Sequence, residues 1–77
     1  MKKTIYTEQR KFLSARLIEA RENAGLSQQE VAKTEIISQS EISKIENGQR
    51  RVEFLLLLEL AKLYSKGLDF FTPNENP

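Results

Sequence analysis

Two serine-led motifs near the middle of the chain constrain its fold more than any other feature. Each has the pattern of a capping box. In a capping box the serine hydroxyl accepts the backbone amide hydrogen of the residue three positions later, and the glutamate carboxylate at that position accepts the backbone amide hydrogen of the serine. The motifs are Ser27-Gln28-Gln29-Glu30 and Ser38-Gln39-Ser40-Glu41. Because they lie so close together, each predicts the start of a short helix, and there is no room for a long helix between them.

The two predicted helices cover residues 28–34 and 39–47, and Gly48 ends the second. Their connection, residues 35–37, is only about three residues long. Helices joined by so short a turn have to cross steeply, as they do in a helix-turn-helix.

Helices are also predicted on both sides of this pair. An apolar stripe formed by Leu13, Leu17, Ala20 and Ala24 indicates a helix from about Glu8 that ends at Gly25. A second apolar segment, residues 54–64, predicts a helix, and residues 68–71 a last short turn. The sequence therefore predicts an all-α domain of five helices over residues 8–71, between a flexible arm (1–7) and a frayed tail (72–77).

Composition excludes several classes of function. The 77 residues include no cysteine and no histidine, which removes thiolate and imidazole ligands and the usual catalytic triads. We therefore expect no enzyme, no metal site and no cofactor. No apolar run approaches the roughly 18 residues of a membrane span, so we expect a cytoplasmic protein without a membrane partner. Residues 1–51 hold ten Lys/Arg against seven Asp/Glu, a weak bias toward an anionic partner.

The middle of the chain resembles a known family. Gly25-Leu26-Ser27-Gln28, followed by Ile45-Glu46-Asn47-Gly48, is similar to the Cro/repressor-type (XRE) helix-turn-helix domains. Further matching residues are Arg21, Val31, Ala32, Ile37, Ser38, Gln39, Ser40, Ile42, Ser43, Leu60, Ala61 and Lys62. The resemblance implies a compact lambda-repressor-like fold, a double-stranded DNA operator as partner, and a bacterial or phage source.

The resemblance also implies roles for individual residues. In this family the helix that begins near Ser38 is the recognition helix, which enters the major groove. The implied base contacts are Gln39, Ser40, Ser43 and Lys44, and the implied phosphate contacts are Gln28, Asn47, Arg50 and Arg51. Arg21 and Glu46 are the implied structural ion pair. An ordinary solvated helix face is the alternative for the base contacts, and solubilising loop charges are the alternative for Arg50 and Arg51.

Two positions depart from the family pattern. Ile36 stands where a glycine is common in the turn, so either the turn has another geometry or Ile36 is strained. Ser65 stands where a helix-ending glycine is usual, and Gly67 follows, so the cap is expected to be shifted.

The segment Phe54-Leu55-Leu56-Leu57-Leu58 is more apolar than one buried helix face requires. We expect a homodimer interface at Leu55, Leu56, Phe70 and Phe71, because exposed apolar patches usually mark interfaces. A heavily buried core helix is the alternative. The predicted function is that of a small homodimeric transcriptional repressor with no small-molecule ligand. A protein-interaction or antitoxin-like module on the same fold is the alternative function.

Overall fold

A computed structural model describes residues 5–73 of the chain, and this part contains helices and no strands. The elements are α1 (Ile5–Asn23), α2 (Gln28–Ala32), α3 (Gln39–Glu46), α4 (Phe54–Tyr64) and a 3-10 helix (Leu68–Phe71). The predicted all-α class is confirmed, with the fifth predicted helix reduced to a 3-10 helix.

The predicted ends of the domain need correction. Helix α1 begins at Ile5 rather than near Glu8, so residues 5–7 belong to the helix and not to the predicted arm. The rest of the arm, residues 1–4, and the end of the predicted tail, residues 74–77, lie outside the described residues.

The core joins all of these elements. Helix α1 packs against α3, α4 and the 3-10 helix, while α2 packs mainly against α3. The buried apolar residues are Leu17, Ala20, Val31, Ile37, Ile42, Ile45, Leu60, Ala61, Tyr64 and Phe71. Ala24, predicted on the buried stripe of α1, is exposed because the helix has already ended at Asn23.

Three helices end in the same left-handed cap, the Schellman motif. The left-handed residues of these three caps are Gly25 (φ 74°), Gly48 (φ 74°) and Ser65 (φ 59°). In each case the next amide bonds the carbonyl five residues earlier: Leu26 to Arg21 (3.2 Å), Gln49 to Lys44 (2.8 Å) and Lys66 to Ala61 (2.9 Å). The expectation of a shifted cap is therefore wrong, because Ser65 itself adopts the left-handed conformation and Gly67 has φ −77°.

The turn between α2 and α3 agrees with the first of the two alternatives stated for Ile36, another turn geometry rather than a strained Ile36. The left-handed residue is Glu35, with φ 66°, and Ile36 is not among the described residues with positive φ. The Thr34 hydroxyl donates to the Val31 carbonyl (2.6 Å) and accepts the Ile36 amide hydrogen (3.3 Å). In a Schellman motif the Ile36 amide would donate directly to the Val31 carbonyl. Here the Thr34 hydroxyl connects these two groups instead.

Candidate nucleic-acid interface

The amino end of α2 is fixed by a complete capping box. The Glu30 amide donates to Ser27 Oγ (3.0 Å), and the Ser27 amide donates to Glu30 Oε1 (2.8 Å). The bonds from the backbone amide and the hydroxyl of Ser27 lower the pKa of Glu30. This box sets where α2 starts, and with it the position of Gln28.

The second predicted box is only half formed. The Glu41 amide donates to Ser38 Oγ (3.2 Å), which caps α3. The Glu41 carboxylate does not complete the box, because it forms an ion pair with Arg50 instead (2.7 Å). The recognition-helix candidate is thereby joined to the loop that follows it.

Helix α3 separates its side chains into an inner and an outer face. Ile42, Ile45 and Glu46 are buried. At about 100° per residue, residues 39, 40, 43 and 44 all fall within an arc of about 140° on the other side. Gln39, Ser40 and Lys44 are exposed and Ser43 is half-buried. The four predicted base contacts therefore share one polar face, which carries hydrogen-bond donors and acceptors and one positive charge.

Arg21 of α1 and Glu46 at the end of α3 form an ion pair. Arg21 Nε lies 2.8 Å from Glu46 Oε2, and Arg21 Nη2 lies 3.1 Å from Glu46 Oε1. The bond to Glu46 raises the pKa of Arg21. Arg21 Nη1 also donates to the Leu26 carbonyl (2.8 Å), so one guanidinium connects α1, the loop before α2 and the end of α3.

Gln28, a predicted phosphate contact, belongs to the same network. Its Nε2 donates to Glu46 Oε1 (2.9 Å), and the side chain is half-buried. The structure thus holds Gln28 against α3 at the point where α2 begins.

The remaining predicted phosphate contacts lie in and next to the loop after α3. Asn47 caps α3, and Arg50 and Arg51 follow Gly48; all three are exposed. All three follow the carboxyl end of α3 in the chain, and Arg50 reaches back to Glu41 in the first turn of that helix.

The structure separates the four predicted interface residues. Leu55 is 67% exposed, but Phe71 is only 4% exposed and belongs to the core, so its assignment to an interface is wrong. Leu56 is partly buried against the core. Phe70 is half-buried, and its ring lies between Arg16 (4.0 Å to the guanidinium carbon) and Lys66 (4.6 Å to Nζ).

Sequence reasoning missed three exposed or contacting residues. Phe54 is 62% exposed and Leu68 is 38% exposed. Arg10, for which the sequence left a loose charged terminus and, as the alternative, an arm near DNA, donates from Nη2 to the Gly48 carbonyl (3.2 Å). Nothing in the sequence signals this contact; Ser14, one helical turn later on the same face, likewise donates to the Ile45 carbonyl (2.8 Å).

The described residues contain neither a membrane-spanning helix nor a metal-binding cluster. Within residues 5–73, no helix combines the length and the apolar character needed to cross a membrane. The same part of the chain contains no group of three or more acidic, histidine or cysteine side chains that could hold a metal ion.

Comparison with known proteins agrees with this geometry. A family model described as helix-turn-helix, HTH_3, matches residues 17–71, which is well over half of the chain. The match begins inside α1 and ends with the 3-10 helix. No curated protein and no solved structure matches the chain.

Proposed function

The chain belongs to the HTH_3 helix-turn-helix family of DNA-binding domains, and from this premise we propose that it is a transcriptional repressor that reads duplex DNA as a homodimer. The observation that carries the proposal is the outer face of α3. It is polar and free of carboxylates at residues 39, 40, 43 and 44, all exposed except the half-buried Ser43, while the inner face is anchored in the core.

In this proposal α3 lies in the major groove and its outer face contacts base edges. Gln39 can pair with adenine through two hydrogen bonds, and Lys44 can donate to guanine. Ser40 and Ser43 can donate or accept, and so complement either kind of base. The chemistry of the face suits direct reading of a short sequence.

The phosphate contacts would hold the domain in register on the duplex. Arg50 and Arg51 supply charge from the loop after α3, and Asn47 supplies an amide at the end of that helix. Gln28 would approach the backbone from the start of α2, with its orientation fixed by Glu46.

We propose that the dimer forms through the exposed amino end of α4. Phe54 and Leu55 are the most exposed large apolar side chains of the described residues. Leu58 follows them one turn later and is half-buried, so the three share one side of the helix. This surface replaces the sequence-based one, because Leu56 and Phe71 serve the core. Two half-sites about 34 Å apart would then be read together.

Repression would follow from occupation of promoter DNA. A bacterial or phage regulator has to reach DNA in the cytoplasm, so the proposed function implies a cytoplasmic location. We propose no catalytic activity and no small-molecule ligand, so control would come from protein concentration and dimerisation.

The test of DNA reading is selection from a randomised duplex pool, followed by binding of the enriched sequence at two salt concentrations. We expect an enriched near-palindrome, and a loss of about 1–3 kcal/mol with relaxed preference at one position for Lys44→Ala. Lys11→Ala, at an exposed lysine on α1, is the matched control and should bind as the unaltered protein does. No enrichment would overturn the proposed function.

The test of the dimer is sedimentation of Leu55→Glu. The charge should dissociate the dimer and leave the monomer folded, because Leu55 is largely exposed. Leu68→Glu places the same charge on an exposed apolar residue outside α4 and should leave the dimer intact. An unaltered dimer in Leu55→Glu would place the interface elsewhere.

The exposed Phe54 and Leu55 also favour a second candidate function, a protein-interaction or antitoxin-like module in which DNA contact is secondary. The double substitution of Gln39 and Lys44 by alanine separates the two. It should abolish DNA binding in either case, but only a module of the second kind keeps its biological effect afterwards.

A further inference from the structure

The first half of α1 precedes the family match and has contacts of its own with the recognition helix. The match begins at Leu17, whereas α1 begins at Ile5. Ser14 Oγ donates to the Ile45 carbonyl at 2.8 Å, and Arg10 Nη2 donates to the Gly48 carbonyl at 3.2 Å. Both carbonyls lie at the carboxyl end of α3, where the helix dipole favours a positive charge. This extension of α1 therefore brings a guanidinium to the end of the recognition helix.

The same guanidinium lines a groove between α1 and the loop after α3. The groove has a volume of about 210 Å³. Its lining residues are Gln9, Arg10, Leu13, Ser14, Arg50, Arg51 and Val52. Three of them are arginines and none is acidic. One of the three, Arg50, is paired with Glu41 outside the lining, and an ion pair this exposed is weak enough for another anion to replace it. The size of the groove suits a small group such as a phosphate rather than a larger organic ligand.

The position of the groove indicates where the anion comes from. Arg50 lines the groove and also pairs with Glu41, in the first turn of α3, at 2.7 Å. Glu41 lies one helical turn before Lys44, so Arg50 places the groove next to one edge of the outer face of α3. An anion bound there would belong to the ligand that α3 contacts.

We propose that this groove binds a backbone phosphate of the DNA, with Arg10 as a phosphate ligand beside Arg50 and Arg51. The inference rests on the proposed DNA-binding function and extends the binding surface to a part of the chain outside the family match. Arginine suits this role because its planar fork can donate two hydrogen bonds to one phosphate.

The experiment measures DNA affinity of the full chain as a function of salt for the unaltered protein, Arg10→Gln, Arg10→Lys and Lys11→Gln. Each lost phosphate contact should reduce the slope of log K against log salt by about 0.9. Over a fourfold rise in salt, the unaltered protein should lose about 3.5-fold more affinity than Arg10→Gln. Arg10→Lys keeps the charge and should keep the slope, and all variants should prefer the same bases.

Lys11→Gln is the matched control, because Lys11 is exposed on the same helix and does not line the groove. An equal drop in slope for both glutamine variants would overturn the proposal in favour of a general charge effect. A lower affinity of Arg10→Gln with an unchanged slope would also overturn it, since that is the result of a purely structural role.

Two further outcomes separate this proposal from the proposed function. If the unaltered protein binds no duplex DNA, both are overturned. If it binds DNA but the Arg10 side-chain NMR signal responds to inorganic phosphate and not to duplex, only the groove assignment is overturned. A shift of that signal on adding duplex supports the assignment.

Discussion

Glu41 of α3 forms an ion pair with Arg50 of the following loop, with Arg50 Nη1 2.7 Å from Glu41 Oε2. Arg50 is a proposed phosphate contact, so Glu41 competes with the DNA backbone for the same guanidinium. Both side chains are more than two-fifths exposed, and such pairs contribute only about 0–1 kcal/mol. The competition is therefore weak enough for a phosphate to win.

This relationship predicts that Glu41→Gln binds DNA more tightly than the unaltered protein. Arg50 is released and a negative charge near the duplex is lost, which together should contribute about 0.5–1 kcal/mol. Fluorescence titration with the selected duplex at low salt measures the change. Glu59→Gln makes the same charge change on α4, away from α3, and an equal gain there would refute the role of Arg50.

A second prediction concerns the Arg21–Glu46 pair, whose side chains are 13% and 6% exposed. Arg21→Met leaves the Glu46 carboxylate nearly buried without its main partner, and should lower the free energy of unfolding by about 3 kcal/mol. Changing both residues to methionine removes the unpaired charge and should recover much of the loss. Urea denaturation of the three proteins measures this. A double variant as unstable as Arg21→Met would contradict the explanation.

Local features of the fold were predictable because their causes lie within a few residues. The bounds of α4 match the predicted 54–64, and Gly25 and Gly48 end their helices as expected. The buried side of α4 was not predictable. A run of four leucines has no period from which to choose a face, and within it the structure packs Leu56 and Leu57 against the core while it exposes Leu55.

Those features of the site that depend on contacts between distant parts of the chain could not be predicted from the sequence. The base contacts on the outer face of α3 were implied by the family resemblance, and helical periodicity then places all four on one side of the helix. The half-formed second box was not predictable, because its outcome depends on Arg50, nine residues beyond Glu41. Arg10 was missed for the same reason, since its partner Gly48 lies 38 residues later.

The turn between α2 and α3 gives a third prediction. Glu35 has φ 66°, a conformation that costs a non-glycine residue about 1–2 kcal/mol. Glu35→Gly removes that cost but adds freedom to the unfolded chain, so the net gain in unfolding free energy should be about 0.5–1 kcal/mol. Thermal and urea unfolding measure it.

Lys33→Gly is the control for this turn. Lys33 is exposed and has φ −65°, so the same change should destabilise by about 1 kcal/mol. If Glu35→Gly also destabilises, the left-handed residue is not a source of strain.

The last prediction follows from Tyr64. Burial raises the pKa of Tyr64 to about 12, with a further contribution from the nearby charge of Glu46. The unfolded chain ionises this phenol at about pH 10. Between these values the folded state keeps a proton that the unfolded state has lost, so the free energy of unfolding falls as the pH rises, by up to about 2 kcal/mol. Urea unfolding across this range should show a steeper decline for the unaltered protein than for Tyr64→Phe, which shares all other titrating groups. Parallel declines would contradict the assignment to Tyr64.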